Sequence, residues 1–280
     1  MIQDLGELTG PVLIFGGPYS NAEATLAIQE EARRLSIPSD RVICTGDVVA
    51  YCANPEETTT IIREWGIPVV MGNCEESIAQ QAPDCGCGFT EGSSCSLLSI
   101  SWYAFANQHI SNNNRRWMQT LPSAIDFSMN GLSFRTVHGS TTQINEFVFK
   151  STASHIKEEQ LTATGKDVVI GGHCGLPFGD SLAHGYWLNA GVIGMPANDG
   201  TTQCWYLVLT PDHTGVHAQW HRLAYPYRKT QTAMRDCLLT EGYCDALSSG
   251  LWPSMDVLPD YEKSQQGTPL QIEPLFIERH

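Results

Sequence analysis

The chain has 280 residues, 16 Lys+Arg against 30 Asp+Glu, a formal net charge of -14, and 10 cysteines. That length buries a substantial core without disulfides, so the irregularly spaced thiols argue for reduced cysteines and against a small secreted scaffold. The acidic surplus disfavours nucleic acid as a partner, and no run approaches the roughly 18 apolar residues of a membrane span. The start, Met1-Ile2-Gln3-Asp4, is acidic where a signal peptide is basic. Together these features point to a cytoplasmic protein without a membrane partner.

The first half alternates strands and helices. Pro11 to Phe15 is an apolar strand that breaks at Gly16-Gly17-Pro18, and Ser20 with Glu23 forms a capping box for a helix reaching about Leu35. Arg41 to Val49 repeats the pattern through Gly46-Asp47, with Asn54 capping a helix that has Pro55 first and Glu57 third. Ile67 to Met71 is a third strand, ending in Gly72-Asn73 before a short helix whose first turn carries Glu75 and Glu76. Three such units argue a mainly parallel sheet with functional groups at the strand C-termini.

Residues 82–95 are rich in Gly, Asp and Cys and read as an irregular insert. Helical spacing follows over Ser96 to Gln108 and Asn112 to Leu121, with Trp102 and Trp117 inward. Ala124 to Met129, Asn130-Gly131 and Leu132 to Val137 form a hairpin pattern, because Asn-Gly supplies the positive φ of a tight turn. A helix around His155 to Ala163, a buried strand Asp167 to Gly171, and strands near Trp187, Trp205 to Leu209 and Val216 to Leu223 complete a mixed second half. The economical division is one domain over 1–227 and a C-terminal helical arm and tail over 228–280. The arm holds a helical segment from Thr230 to Leu247, then Gly250-Leu251-Trp252-Pro253, suited to packing on its own domain.

Asp47, Asn73, His138 and His173 each sit just past an apolar strand in a glycine-containing turn. In an open α/β sheet such loops converge. One carboxylate, one amide oxygen and two imidazoles make a mixed N/O set suited to Mn, Fe or Zn. Ile144 to Phe149, with Phe147 and Phe149 alternating, reads as core or as the wall of a pocket.

The motif order resembles the calcineurin-like metallophosphoesterase superfamily, in its small bacterial phosphodiesterase type. It runs through Gly46-Asp47, Gly72-Asn73-Cys74-Glu75, Val137-His138-Gly139, Gly171-Gly172-His173-Cys174-Gly175 and Asn189-Ala190-Gly191-Val192-Ile193-Gly194. The resemblance implies a four-layer αββα sandwich with two mixed sheets, and a metal site hydrolysing phosphate mono- or diesters. It also implies two metals. One would use an Asp and a His of the first loop plus a final His; here those positions read Gly17, Tyr19 and Gly175. The ligands of the other, Asp47, Asn73, His138 and His173, are all present. Loss confined to one site suggests a single divalent ion acting as Lewis acid on a small-molecule phosphate ester.

Where the family has a His after Gly-Asn, this chain has Cys74, which with Asp47 is a candidate catalytic residue. A thiol is a weak acid at neutral pH unless its pKa is lowered, and then it becomes a nucleophile or ligand. Cys52 and Cys174 are possible additional thiols of the crevice. Cys85, Cys87 and Cys95 of the insert are candidates for a structural Zn or a redox pair, although one intervening residue is not the usual chelating spacing. Two other readings follow from the departures. One is a catalytically degenerate binding or sensor protein, and the other a thiol-dependent enzyme using Cys74. Oligomeric state leaves no trace in the sequence.

Overall fold

A computed structural model describes residues 1–240 and 242–279. The first half runs β1 (Ile2–Glu7), β2 (Val12–Phe15), α1 (Ala22–Arg34), β3 (Val42–Cys44), α2 (Pro55–Trp65), α3 (Asn73–Gln80), α4 (Ser94–His109) and α5 (Asn112–Met118). The second half begins with β4 (Ala124–Met129), β5 (Leu132–Val137), α6 (Ser154–Thr164), β6 (Val168–Gly171), β7 (Phe178–Leu182) and β8 (Gly185–Asn189). It ends with β9 (Cys204–Pro211), β10 (Gly215–Leu223), α7 (Tyr227–Asp236), α8 (Tyr243–Ser249), α9 (Asp260–Ser264) and β11 (Leu275–Glu278).

Strand β2 explains the layering. All four of its residues are buried, and successive side chains point to opposite faces. Val12 and Ile14 join a core with Ile43, Phe127, Phe134 and Ile170, which lies between the two sheets. Leu13 and Phe15 join a second core with Ile28 of α1 and Ile62 of α2. A strand without a polar face needs cover on both sides. A third core, with Val137, Val169 and Trp187 against Leu161 of α6, covers the outer face of the other sheet. The result is a four-layer αββα sandwich. Its sheets have the orders β1-β4-β5-β6-β8-β7 and β11-β10-β9-β2-β3, and both are mixed. The pairs β2/β3 of one sheet and β5/β6 and β6/β8 of the other are parallel, so within each sheet their C-terminal ends open on the same side.

Several local expectations shift. Asn21, not Ser20, caps α1, its side chain accepting from the Ala24 amide at 3.1 Å. Ser20 is left-handed (φ 56) and its hydroxyl accepts from Ala50 instead. The strand expected over Ile67 to Met71 reduces to a single parallel bridge between Cys44 and Val69, beside Pro68, which has no N–H for a ladder. The segment Thr230 to Leu247 is two helices, broken at Leu238 (φ 61) and Gly242 (φ 62). The insert stays irregular until Ser93, and Ser94 and Cys95 already belong to α4. Strands β1, β7 and β11 have no counterpart in the sequence reading: β1 is largely exposed and β7 carries Gly and Asp in a half-exposed strand.

The described residues after 227 fold back onto the sandwich. Helix α7 packs on α1, where Thr230 donates to Asn21 at 2.9 Å, and β11 pairs antiparallel with β10. Among the described residues no helix is long and apolar enough to cross a membrane.

The hairpin β4–β5 that delivers His138 is locked by charge. Arg135 binds both carboxylate oxygens of Asp126 at 2.7 Å, and Lys166 adds a contact at 2.9 Å. Burial pushes Asp126 upward, but Arg135 and Lys166 outweigh it and hold the carboxyl below its usual range. A depressed folded pKa stabilises the protein above the unfolded value, and that stability is lost as pH falls through the folded one. Asp126→Asn is expected to cost about 1–2 kcal/mol at neutral pH. The gap to wild type in urea denaturation should shrink on acidification below about pH 4.

Candidate metal centre

Four loops at the strand ends deliver the polar residues. Asp47 follows β3, Asn73 opens α3, His138 follows β5 and His173 follows β6. The first two come from the edge of one sheet and the last two from the other, so the site lies at the seam between them. Asp47 (φ 54) and His173 (φ 55) are both left-handed, a conformation that costs a β-carbon residue roughly 1–2 kcal/mol. Tyr19, Ser20 and Tyr51 on adjoining loops share it.

The structure brings together all four residues expected to converge. His138 Nε2 lies 3.0 Å from Asn73 Oδ1, 3.1 Å from His173 Nδ1 and 3.3 Å from Asp47 Oδ1. His138 Nδ1 donates to the Thr45 carbonyl at 2.7 Å, which uses the only N–H of a neutral imidazole. The Asn73 amide donates to the Cys85 carbonyl at 2.9 Å and to Cys87 Sγ at 3.2 Å, so its oxygen is the atom turned inward. Four lone-pair groups therefore face one another. Such a cluster calls for positive charge at its centre, and its N/O composition fits a divalent transition metal. The ligand atoms of Asp47, His138 and His173 lie within 4.8 Å of one another; among the described residues this is the one group of three or more His, Cys, Asp or Glu so placed.

The electrostatics carry the same demand for positive charge. Burial drives His173 down to about 3, helped by His138, so it stays neutral with its lone pair free. Burial also pulls on His138, but Asp47 and the Thr45 carbonyl outweigh it and raise this imidazole above its ordinary value. Asp47 in turn resists burial through both histidines and stays below the usual carboxylate range.

A second carboxylate organises the first. Glu75 is fully buried, accepting from Asp47 N–H at 2.8 Å, Gly72 N–H at 3.1 Å and Val49 N–H at 3.1 Å. It staples the Asp47 loop to the start of α3. In the sequence it reads only as an acid in a helix's first turn; the glycine turn one helix earlier, whose amides need an acceptor, is the signal that could have found it. Asn189 does the same for the His173 loop, donating to the Gly172 carbonyl at 2.8 Å and accepting from Gly191 at 2.9 Å.

Asp47 and His173 open into a cavity of about 60 Å³ walled by Tyr19, Tyr51, Phe89, Phe147, Tyr243 and Trp252. Cys87, Cys95 and Cys174 also reach this wall. Phe147 thus belongs to the cavity, while Phe149 stacked beside it is buried in core. Cys74 is buried, with its backbone N–H on Asp47 Oδ1 at 3.3 Å. Its contact with Cys87 favours the thiolate, but burial and the Asp47 charge prevail and push the thiol well up. Cys174 is pushed up to about 12 by burial, and its Sγ takes the Asn189 amide at 3.2 Å. Cys52 points elsewhere, toward the Gly194 carbonyl, and burial raises it too. Of the three insert thiols, Cys85 and Cys87 touch each other and Cys95 stands apart. Cys85 and Cys87 lie beside Asn73, whereas Cys95 sits in the first turn of α4 next to Ser254 and Asp256.

Two positions that the resemblance assigned to a second metal are glycines with crowded surroundings. A β-carbon on Gly17 would lie 2.5 Å from the Tyr19 ring, and one on Gly175 would lie 3.2 Å from the Trp252 indole.

The family model described as the calcineurin-like phosphoesterase superfamily domain matches residues 20–213. The chain belongs to the calcineurin-like phosphoesterase superfamily. The chain is 23% identical over 235 residues to an uncharacterised protein of Methanocaldococcus jannaschii, covering 78% of this chain and 89% of that protein. Two solved structures share the phosphoesterase fold. A metallophosphoesterase from Sphaerobacter thermophilus has a TM-score of 0.67 at 20% identity, over 87% of this chain and 100% of the other. A hypothetical protein from Pyrococcus horikoshii has a TM-score of 0.73 at 14% identity, over 87% and 99%.

Glu75→Ala leaves three buried amides without an acceptor, so it is expected to lower stability by about 3 kcal/mol in chemical denaturation. Glu75→Gln, which keeps an acceptor, should recover part of that loss.

Proposed function

We propose that this calcineurin-like phosphoesterase hydrolyses a small phosphate ester with one divalent cation held by Asp47, Asn73, His138 and His173. The observation that carries the reading is the meeting of three further acceptors at His138 Nε2 while its Nδ1 is committed to Thr45. A divalent cation there would act as Lewis acid on a phosphoryl oxygen and acidify a water. The chain's own residues prepare that chemistry. Asp47 supplies the negative charge and is fixed in place by Glu75. His173 stays unprotonated, and the Asn73 oxygen is aimed by its own amide bonds. The aromatic wall limits water to the small cavity above them.

The single-ion form of the proposal rests on the filled space at the other ligand positions. The Tyr19 ring lies over Gly17, and the Trp252 indole lies over Gly175. A one-ion site cannot clamp both the entering and leaving oxygens, which favours slow turnover. Burial of Cys74 as a raised-pKa thiol supports a role in packing over one as nucleophile. The same filled positions favour a second reading, a binding or sensor protein on this scaffold, which would show ligand-dependent stabilisation without turnover.

Elemental analysis of purified protein is expected to give one equivalent of Mn, Fe or Zn per chain, absent from His138→Ala. Cys74→Ser should keep the metal and most of the hydrolysis of small alkyl phosphates. No metal, or two equivalents lost together, would overturn the one-ion reading. One equivalent with no turnover would select the sensor.

A further inference from the structure

We propose that the ligand of this site is a phosphate ester with a single phosphoryl group and a compact, uncharged alcohol portion, and that Trp252 sets the size limit. The inference rests on the metal-site reading above and adds the substrate class to it.

Size comes first. A buried water needs about 10–15 Å³, and an engineered cavity that holds benzene measures about 150 Å³. The cavity of about 60 Å³ beside Asp47 and His173 therefore has room for a handful of waters and not for a ring.

Charge comes second. Among the described residues lining the cavity none is lysine or arginine, and the one charged side chain is Asp47. A ligand with a second phosphate, such as a nucleoside diphosphate or a dinucleotide, would bury an anion without a partner, which is strongly unfavourable. One phosphoryl group can be met at the metal ligands, and the remainder of the molecule meets aromatic faces.

Rigidity comes third. Tyr51 stacks on Tyr243 with centroids 4.2 Å apart and meets Tyr19 edge-on at 4.7 Å, so the walls brace one another. Trp252 is pinned from both ends. Its backbone N–H donates to Asn198 Oδ1 at 2.8 Å and its indole N–H to the Pro196 carbonyl at 2.6 Å. A ring fixed in this way, lying where a Gly175 side chain would stand, roofs the cavity at a set height.

The test uses full-length protein loaded with Mn²⁺ and titrated calorimetrically with methylphosphonate, phenylphosphonate and ADP. The first two carry the same phosphoryl group and differ only in the organic part. Wild type is expected to bind methylphosphonate about tenfold or more tightly than either competitor, the cost of forcing a ring into filled space. Trp252→Ala should erase or reverse the preference for methyl over phenyl. Trp252→Phe, which keeps an aromatic roof with a smaller ring, should fall between, and guards against misfolding of the alanine variant. Equal binding of the three ligands by wild type, no phosphonate binding to Mn²⁺-loaded protein, or an unchanged ratio in folded variants would overturn the proposal. Failure to take up any of Mn²⁺, Fe²⁺ and Zn²⁺ would instead strike the metal-site reading on which it stands.

Discussion

Everything near the centre of this molecule is arranged around one unresolved demand for positive charge. An imidazole whose only N–H is committed to the Thr45 carbonyl presents its lone pair to a carboxylate, an amide oxygen and a second imidazole. Repulsion among such groups is tolerable only because the surrounding structure over-determines each of them. Glu75 ties the Asp47 loop to α3, the Asn73 amide is anchored in the insert, and Asn189 holds the His173 loop. The left-handed backbone at Asp47 and His173 is part of the same cost. Stability gained in three apolar cores is spent on holding acceptors together, a pattern expected of a pre-organised binding site.

The four-layer sandwich follows from residue alternation along strands with no polar face. β2 is the clearest case, and its register also dictates that the loops after β2 and β3 emerge side by side. The seam between the sheets is therefore where the two halves of the ligand set must meet, one half from the glycine turn after β3 and the start of α3, the other from the ends of β5 and β6.

Much of this was legible in the chain. The ligands could be read because each combines a glycine turn with an apolar run, and the hairpin that carries His138 is announced by Asn130-Gly131. The layered fold followed from the motif order. What escaped had physical reasons. Glu75 looks like any acid in a first helical turn, since its partners are backbone amides with no side-chain signature. Asn21 was hidden behind Ser20, whose left-handed backbone no propensity rule foresees. Tyr51 is far in sequence from Tyr243 and Trp252, and the three become one wall only when the residues after Tyr227 cross the mouth of the site. Polar or half-exposed strands such as β1 and β7 lack the periodicity from which a strand is recognised.

The path of those later residues has a temporal side. All four inward-facing residues have been made once His173 emerges from the ribosome, but the roof at Tyr243 and Trp252 comes later, and β11, which pins the segment's far side to β10, later still. With synthesis at roughly 5–20 residues per second, on the order of several seconds separate His173 from Trp252. The four inward-facing residues therefore precede their aromatic roof in synthesis, and a chain cut before Tyr243 would lack the roof while keeping the anchors of their loops, Glu75 and Asn189.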